Sequence, residues 1–253
     1  MSLNFIDISS YQANIDLDLV FAQNPLDGVI VKATEGIGYV NPYCDRWVQW
    51  LIRNNKPWGF YHYLNGHDPV AEAKRFIKDT INYFGDGMPA ADYEGNIVTA
   101  YGTYYLQRFL ETVYAETGVK PLVYCNLSTI QADVNGFRSI AEQGFPLWLA
   151  QWTGGGSTGF QPNPWQKGSY EPFKNISVHQ YTDRGKINGF SQCLDLDIFY
   201  GSLENWNAMA GKGSSPAPAP ADDLLQDWID YLEEEKSRIQ TKIDELKERK
   251  RNE

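Results

Sequence analysis

Apolar, β-prone runs recur along the chain at residues 5–9, 28–34, 58–63, 89–94, 122–125, 147–152, 176–182 and 194–200, and they predict eight strands. Four of the intervening segments are amphipathic at helical spacing, 43–54, 70–84, 101–117 and 128–143. Segment 153–174 is rich in Gly and Pro and predicts no helix, and the gap before the last strand is too short to hold one. Strands alternating with helices imply a parallel sheet. Eight strands with helices only in the earlier part predict an α/β fold: an irregular, TIM-like β/α barrel with reduced helices. An open doubly wound sheet is the structural alternative.

Beyond about residue 210 the pattern changes. Residues 211–221 are a Gly/Ser then Pro/Ala tract, an extended and partly stiff linker. In residues 222–253, Leu225, Leu232, Ile239 and Leu246 repeat every seven positions, with Ile229, Lys236 and Ile243 between them. This heptad predicts a C-terminal coiled-coil helix that makes the chain a homo-oligomer. Ile at a with Leu mostly at d favours a dimer, whereas Lys236 in the seam and Trp228 beside it leave a larger number open. A helix folded back on the globular part is the alternative, and the Pro-rich spacer argues against it. The predicted division is therefore a globular domain over 1–210, a linker over 211–221 and an oligomerisation segment over 222–253.

Charge and composition exclude several classes. The net charge is −10, of which the tail carries −4, leaving −6 on the rest, so no basic footprint for nucleic acid or an anionic membrane exists. No run has the length of a membrane-spanning helix. Cys44, Cys125 and Cys193 are odd in number and widely spaced, which predicts free thiols rather than disulfides or a zinc site. His62, His67 and His179 show no ligand spacing, so neither metal nor cofactor is expected. Aromatic residues make up 14% of the chain, and their flat apolar faces suit both a core and the CH faces of sugars. The N-terminus enters a strand at once, leaving no room for a signal peptide.

The acids carry the chemistry. Asp92-Tyr93-Glu94 ends an apolar run, so both carboxyls of this D-x-E project into one space, roughly 6–7 Å apart by strand geometry. Two like charges that close raise one pKa, and a carboxylic acid beside a carboxylate is what cleavage of a glycosidic bond needs. Asp7 lies inside the first strand, Lys32 and Glu35 close the second, and Asp195 lies in the eighth. In a barrel, strands bring such groups to one mouth. Unpaired burial of Asp7 would cost several kcal/mol.

Five ordered blocks carry a family resemblance over about residues 4–206. They are Asp7-Ile8-Ser9-Ser10-Tyr11-Gln12, Lys32-Ala33-Thr34-Glu35-Gly36, Gly59-Phe60-Tyr61-His62-Tyr63, Asp92-Tyr93-Glu94 and Leu194-Asp195-Leu196-Asp197-Ile198-Phe199. The chain resembles the glycoside hydrolase family 25 lysozymes, the Chalaropsis-type muramidases. The resemblance implies a peptidoglycan hydrolase that cleaves the β-1,4 bond after N-acetylmuramic acid. It assigns Glu94 as general acid, Asp92 as the group that orients the substrate acetamide, and Asp7 and Asp195 as the network that fixes the pair. The nucleophile is either the acetamido carbonyl or one of the aspartates. One departure stands out: the family's last block usually reads Val-Asp-x-Asn, whereas here an extra acid, Asp197, replaces the amide.

Tyr61, Tyr63, Tyr124 and Trp152 are expected along the substrate groove, with Gln151 and Gln180 as amide partners for sugar hydroxyls. Lys32 either pairs with Glu35 or Asp7 or contacts substrate together with Glu35. His62 alternates away from Tyr61 and Tyr63 and is expected on the outer face. Other classes remain: a carbohydrate-binding or scaffold protein on an inactive hydrolase fold, or an endo-N-acetylglucosaminidase, whose longer D-x-x-D-x-D-x-E run is missing here. Action on a cell wall without a visible leader implies either a leader already removed or synthesis in the host cytoplasm and release by a holin-type route.

Overall fold

The computed structural model describes residues 2–213 together with 236, 240, 243, 244 and 247. The chain divides into two units, 1–217 and 218–253. In the second, the described residues are helical and exposed. Gln240 donates to Asp244 at 3.0 Å and Lys247 pairs with it at 3.4 Å, spacings that belong to one helix face. The seam residues Leu225, Ile229, Leu232, Ile239 and Leu246 lie outside the described residues.

The first unit runs β1 (Leu3–Ile8), α1 (Leu17–Gln23), β2 (Gly28–Glu35), β3 (Tyr39–Val40), α2 (Cys44–Arg53), β4 (Trp58–Tyr63), α3 (Pro69–Thr80), β5 (Met88–Asp92), α4 (Asn96–Thr117), β6 (Leu122–Asn126), α5 (Leu127–Ala132), α6 (Val134–Glu142), β7 (Leu147–Ala150), β8 (Ile176–Gly185), β9 (Leu194–Phe199) and α7 (Leu203–Met209). Every predicted strand forms. The sheet order β1-β9-β8-β7-β6-β5-β4-β2 returns from β2 to β1, so eight strands close a barrel and the open-sheet alternative fails. β3 adds only a two-residue antiparallel pairing to the end of β2.

The sheet is not wholly parallel as expected. β9 runs antiparallel to both β8 and β1. The connection from Gly185 to Leu194 is too short for the crossover a parallel neighbour requires. Helix boundaries also differ. The predicted helix over 128–143 breaks into α5 and α6 at Asp133, which leaves the helical region and caps Gly136 N with its own carboxylate. α1 and α7 were not predicted, being only seven residues each.

Period-two alternation sorts the side chains. Ile6, Val31, Phe60, Val123, Leu149 and Ile198 face outward into the layer under the helices. Phe5, Ile30, Met88, Leu122, Val178 and Phe199 fill the barrel. Trp206 of α7 closes its amino-terminal end. It is fully buried, its ring centroid lies 4.4 Å from Phe5 and 5.0 Å from Phe199, and its indole donates to Trp58 O at 3.2 Å. Cys44, Cys125 and Cys193 are free thiols, the first two buried.

Candidate active site

With Trp206 filling one end, the barrel opens into a cavity at the other. A cavity of about 460 Å³ lies there. The acids Asp7, Glu35, Asp92, Glu94 and Asp195 line it, with Lys32 as the single cation among its lining residues. Asp7 and Asp195 are register partners across β1 and β9. Because β9 runs backward, Asp195 reaches the mouth from near the start of its strand, while Asp7 does so from near the end of β1. Glu94 stands two residues beyond β5 rather than on it. Gly95 makes this turn possible: its φ is +69°, and a Cβ there would meet the Tyr63 hydroxyl at 2.9 Å.

Of the other expected residues, Tyr61, Tyr63, Tyr124, Trp152 and Gln180 line the cavity, and Gln151 does not. The Gln151 amide exchanges hydrogen bonds with the Lys167 backbone, at 2.6 and 3.2 Å, and so braces the Gly- and Pro-rich segment instead. Ser9, Tyr11 and Trp148 line the cavity without having been singled out. Tyr11 is 85% exposed, and its only sequence signal is its place four residues past Asp7. Lys32 pairs with Glu35 at 2.7 Å and lies 4.5 Å over the Tyr63 ring. Asn65 reaches the other Glu35 oxygen at 3.4 Å.

His62 faces outward and is fully buried, as alternation predicts. Thr34 Oγ1 lies 2.7 Å from its Nδ1 and Glu72 3.3 Å from its Nε2. Burial holds the imidazole below its ordinary range and therefore neutral. Burial raises Glu72, but the His62 hydrogen bond and the Asn65 and His67 N–H groups outweigh it and bring the carboxyl down. This pair ties the loop after β4, which carries Asn65, to α3.

Inside the mouth the electrostatics reverse. Burial first, then the Glu94 charge, raises Asp92 well above the carboxylate range, and Lys32 opposes the shift. Burial raises Glu94 as well, again against Lys32. The two titrate as a unit that holds a proton beyond the pH at which free carboxyls lose theirs. Asp92 is buried and its Oδ1 has no hydrogen-bond donor, whereas Glu94 is the more accessible of the two. Burial and Asp7 push Asp195 up to about 8. Among the described residues no cluster of three or more His, Cys, Asp or Glu could hold a metal ion.

The family model described as Glycosyl hydrolases family 25 matches residues 6–190, which contain Asp7, Asp92 and Glu94. The chain belongs to that family. The autolytic lysozyme of Clostridium acetobutylicum is 29% identical over 197 residues, 77% of this chain and 55% of that protein. An uncharacterized Escherichia coli K12 protein, YegX, is 25% identical over 214 residues, 82% of this chain and 73% of its own. The bacterial lysozyme of Streptomyces coelicolor superposes with a TM-score of 0.69 at 20% identity, over 83% of this chain and 97% of that one. This family 25 chain is accordingly a glycoside hydrolase of the lysozyme class with the barrel of that class. No helix among the described residues is long and apolar enough to cross a membrane.

Proposed function

We propose that the chain is an N-acetylmuramidase that cleaves the β-1,4 bond between N-acetylmuramic acid and N-acetylglucosamine in cell-wall peptidoglycan. The observation that carries this reading is the Asp92–Glu94 pair: two raised carboxyls at one mouth, one exposed to the groove and one buried with an unpartnered oxygen. Glu94 donates its proton to the glycosidic oxygen as the bond to the anomeric carbon breaks. The substrate's acetamido carbonyl attacks that carbon from the other side and forms a cyclic intermediate. Asp92 Oδ1 accepts the acetamide N–H and so orients the attacking oxygen. Water then opens the ring with Glu94 as general base, so anomeric configuration is retained and Glu94 regains its proton.

Tyr11 and the half-exposed Trp152 offer rings to the sugar chain at the rim. Residues 222–253 join such heads into an oligomer and raise avidity for a repetitive wall. The decisive experiment is Glu94→Gln assayed on purified Gram-positive walls. General acid catalysis is worth about 10²–10⁴-fold, so lysis falls by at least about a hundredfold with melting temperature unchanged. Near-wild-type lysis rejects the assignment. Reducing-end analysis of the wild-type digest yields muramic-acid ends; glucosamine ends would make the enzyme an endo-N-acetylglucosaminidase.

A further inference from the structure

Asp197 is the extra acid of the last sequence block, and it is fully buried. Its Oδ1 accepts the Trp148 indole N–H at 2.7 Å. Its Oδ2 is buried and receives no N–H or O–H donor. Among the described residues, the Asp7 carboxyl on the neighbouring strand also lies within hydrogen-bonding reach of Asp197. Two ionised carboxylates in that contact, out of water and without a cation, would repel strongly.

The surrounding hydrogen bonds say where a proton must sit. Gln180 Oε1 accepts from the Tyr124 hydroxyl at 2.9 Å and from the Trp152 indole at 3.1 Å. An indole N–H only donates, so this end of the amide is the oxygen and Nε2 is the donor. That Nε2 donates to Asp7 Oδ2 at 2.7 Å. Asp7 Oδ2 is thus an acceptor, and Trp148 fixes Asp197 Oδ1 as an acceptor in the same way. With those two oxygens accepting, the buried and unpartnered Asp197 Oδ2 is the position open to a proton in this contact.

We propose that Asp7 and Asp197 share one proton, and that this carboxyl–carboxylate pair makes Asp197 a positioning residue that holds Gln180, Trp148 and through them the floor of the groove. The charged and titratable groups around the pair reinforce retention of the proton. Glu94 adds to the rise of Asp7, the nearby Asp195 and Asp92 are raised carboxyls, and Tyr61, Tyr124 and Tyr181 are neutral phenols. Lys32, the one cation lining the cavity, is paired with Glu35. Burial first, and then the Asp195 charge, push Asp197 up to about 8, and burial with the Asp197 and Glu94 charges pushes Asp7 upward as well.

The folded chain therefore binds a proton that the unfolded chain releases above a carboxylate's ordinary range. That contribution to stability is full in acid, shrinks as pH rises toward 8 and is spent above it. An amide in either position can replace the shared proton with a fixed N–H. Asp197→Asn and Asp7→Asn are the mirrored tests, and either suffices if the other does not fold. Infrared spectra at pH 7 should lose one buried protonated-carboxyl contribution in each variant relative to the wild type. Proton uptake on folding near pH 6 should fall by about one. Asp197→Asn should also extend the alkaline limb of lysis, while Asp197→Leu, which satisfies neither Trp148 nor Asp7, should lose stability that Asp197→Asn keeps. Identical infrared spectra and identical pH dependence of stability in wild type and variant would overturn the shared proton. The infrared and stability readouts do not involve the reaction, so they stand or fall apart from the muramidase reading.

Discussion

Trp206→Ala tests whether the barrel depends on its floor. The indole is fully buried between Phe5 and Phe199 and donates to Trp58 O. A buried Trp removes about 150–250 Å² from water, worth about 4–6 kcal/mol at about 25 cal/mol per Å². Truncations of Phe or Trp to Ala cost about 3–5 kcal/mol, and the lost hydrogen bond adds about 1 kcal/mol. The expected loss is about 4–6 kcal/mol, a large part of the roughly 5–15 kcal/mol that holds a typical domain. Trp206→Phe keeps most of the packing and should lose about 1–2 kcal/mol. Urea unfolding followed by tryptophan fluorescence and far-ultraviolet dichroism measures both. The groove lies at the opposite end, so activity well below the melting temperature should change little in either variant. A loss below about 1.5 kcal/mol for Trp206→Ala would mean that α7 covers the barrel without stabilising it.

Lys32→Met removes the positive charge that opposes the rise of Asp92 and Glu94, so both carboxyls keep their proton to higher pH and the alkaline limb of the lysis profile moves upward; an unmoved limb in a pH series counts against the electrostatic role. Glu72→Gln weakens charge-assisted bonds to His62 and to the loop N–H groups and should cost about 1.5–3 kcal/mol by chemical denaturation. His62 and Glu72 both have lowered folded-state pKa values, so the His62 contribution is full above about pH 6.5 and the Glu72 contribution above about pH 4.5, each being lost as pH falls further; a wild type and Glu72→Gln with parallel acid-unfolding curves would contradict this. A chain ending after residue 213 should be monomeric by light scattering and fully active on soluble fragments but weaker on intact walls, whereas a monomeric full chain would reject the heptad as an oligomerisation seam.

The recurring apolar runs are local signals, and near neighbours suffice to set each strand and the alternation that sends His62 outward and Tyr61 inward. The types and order of the acids likewise point to glycosidic chemistry before any fold is known, because few structural uses exist for Asp7 inside an apolar strand. Short helices escape such reading: α1 and α7 owe their existence to what they cover, and Trp206 carries no mark in the sequence of the barrel end it fills. Strand direction is also beyond local pattern, since alternation looks the same in either sense. Only the brevity of the connection before Leu194 forces β9 to run backward and brings Asp195 opposite Asp7. Whether a polar side chain enters the groove depends on competing partners: Gln151 turns to the Lys167 backbone, whereas Gln180 is held inward by Tyr124, Trp152 and Asp7. Asp197 shows the same limit most sharply. In sequence it is an acid two residues from another acid. In the closed barrel it lies between an indole N–H and a second buried carboxyl, and the exclusion of water there makes a proton, rather than a charge, the stable occupant.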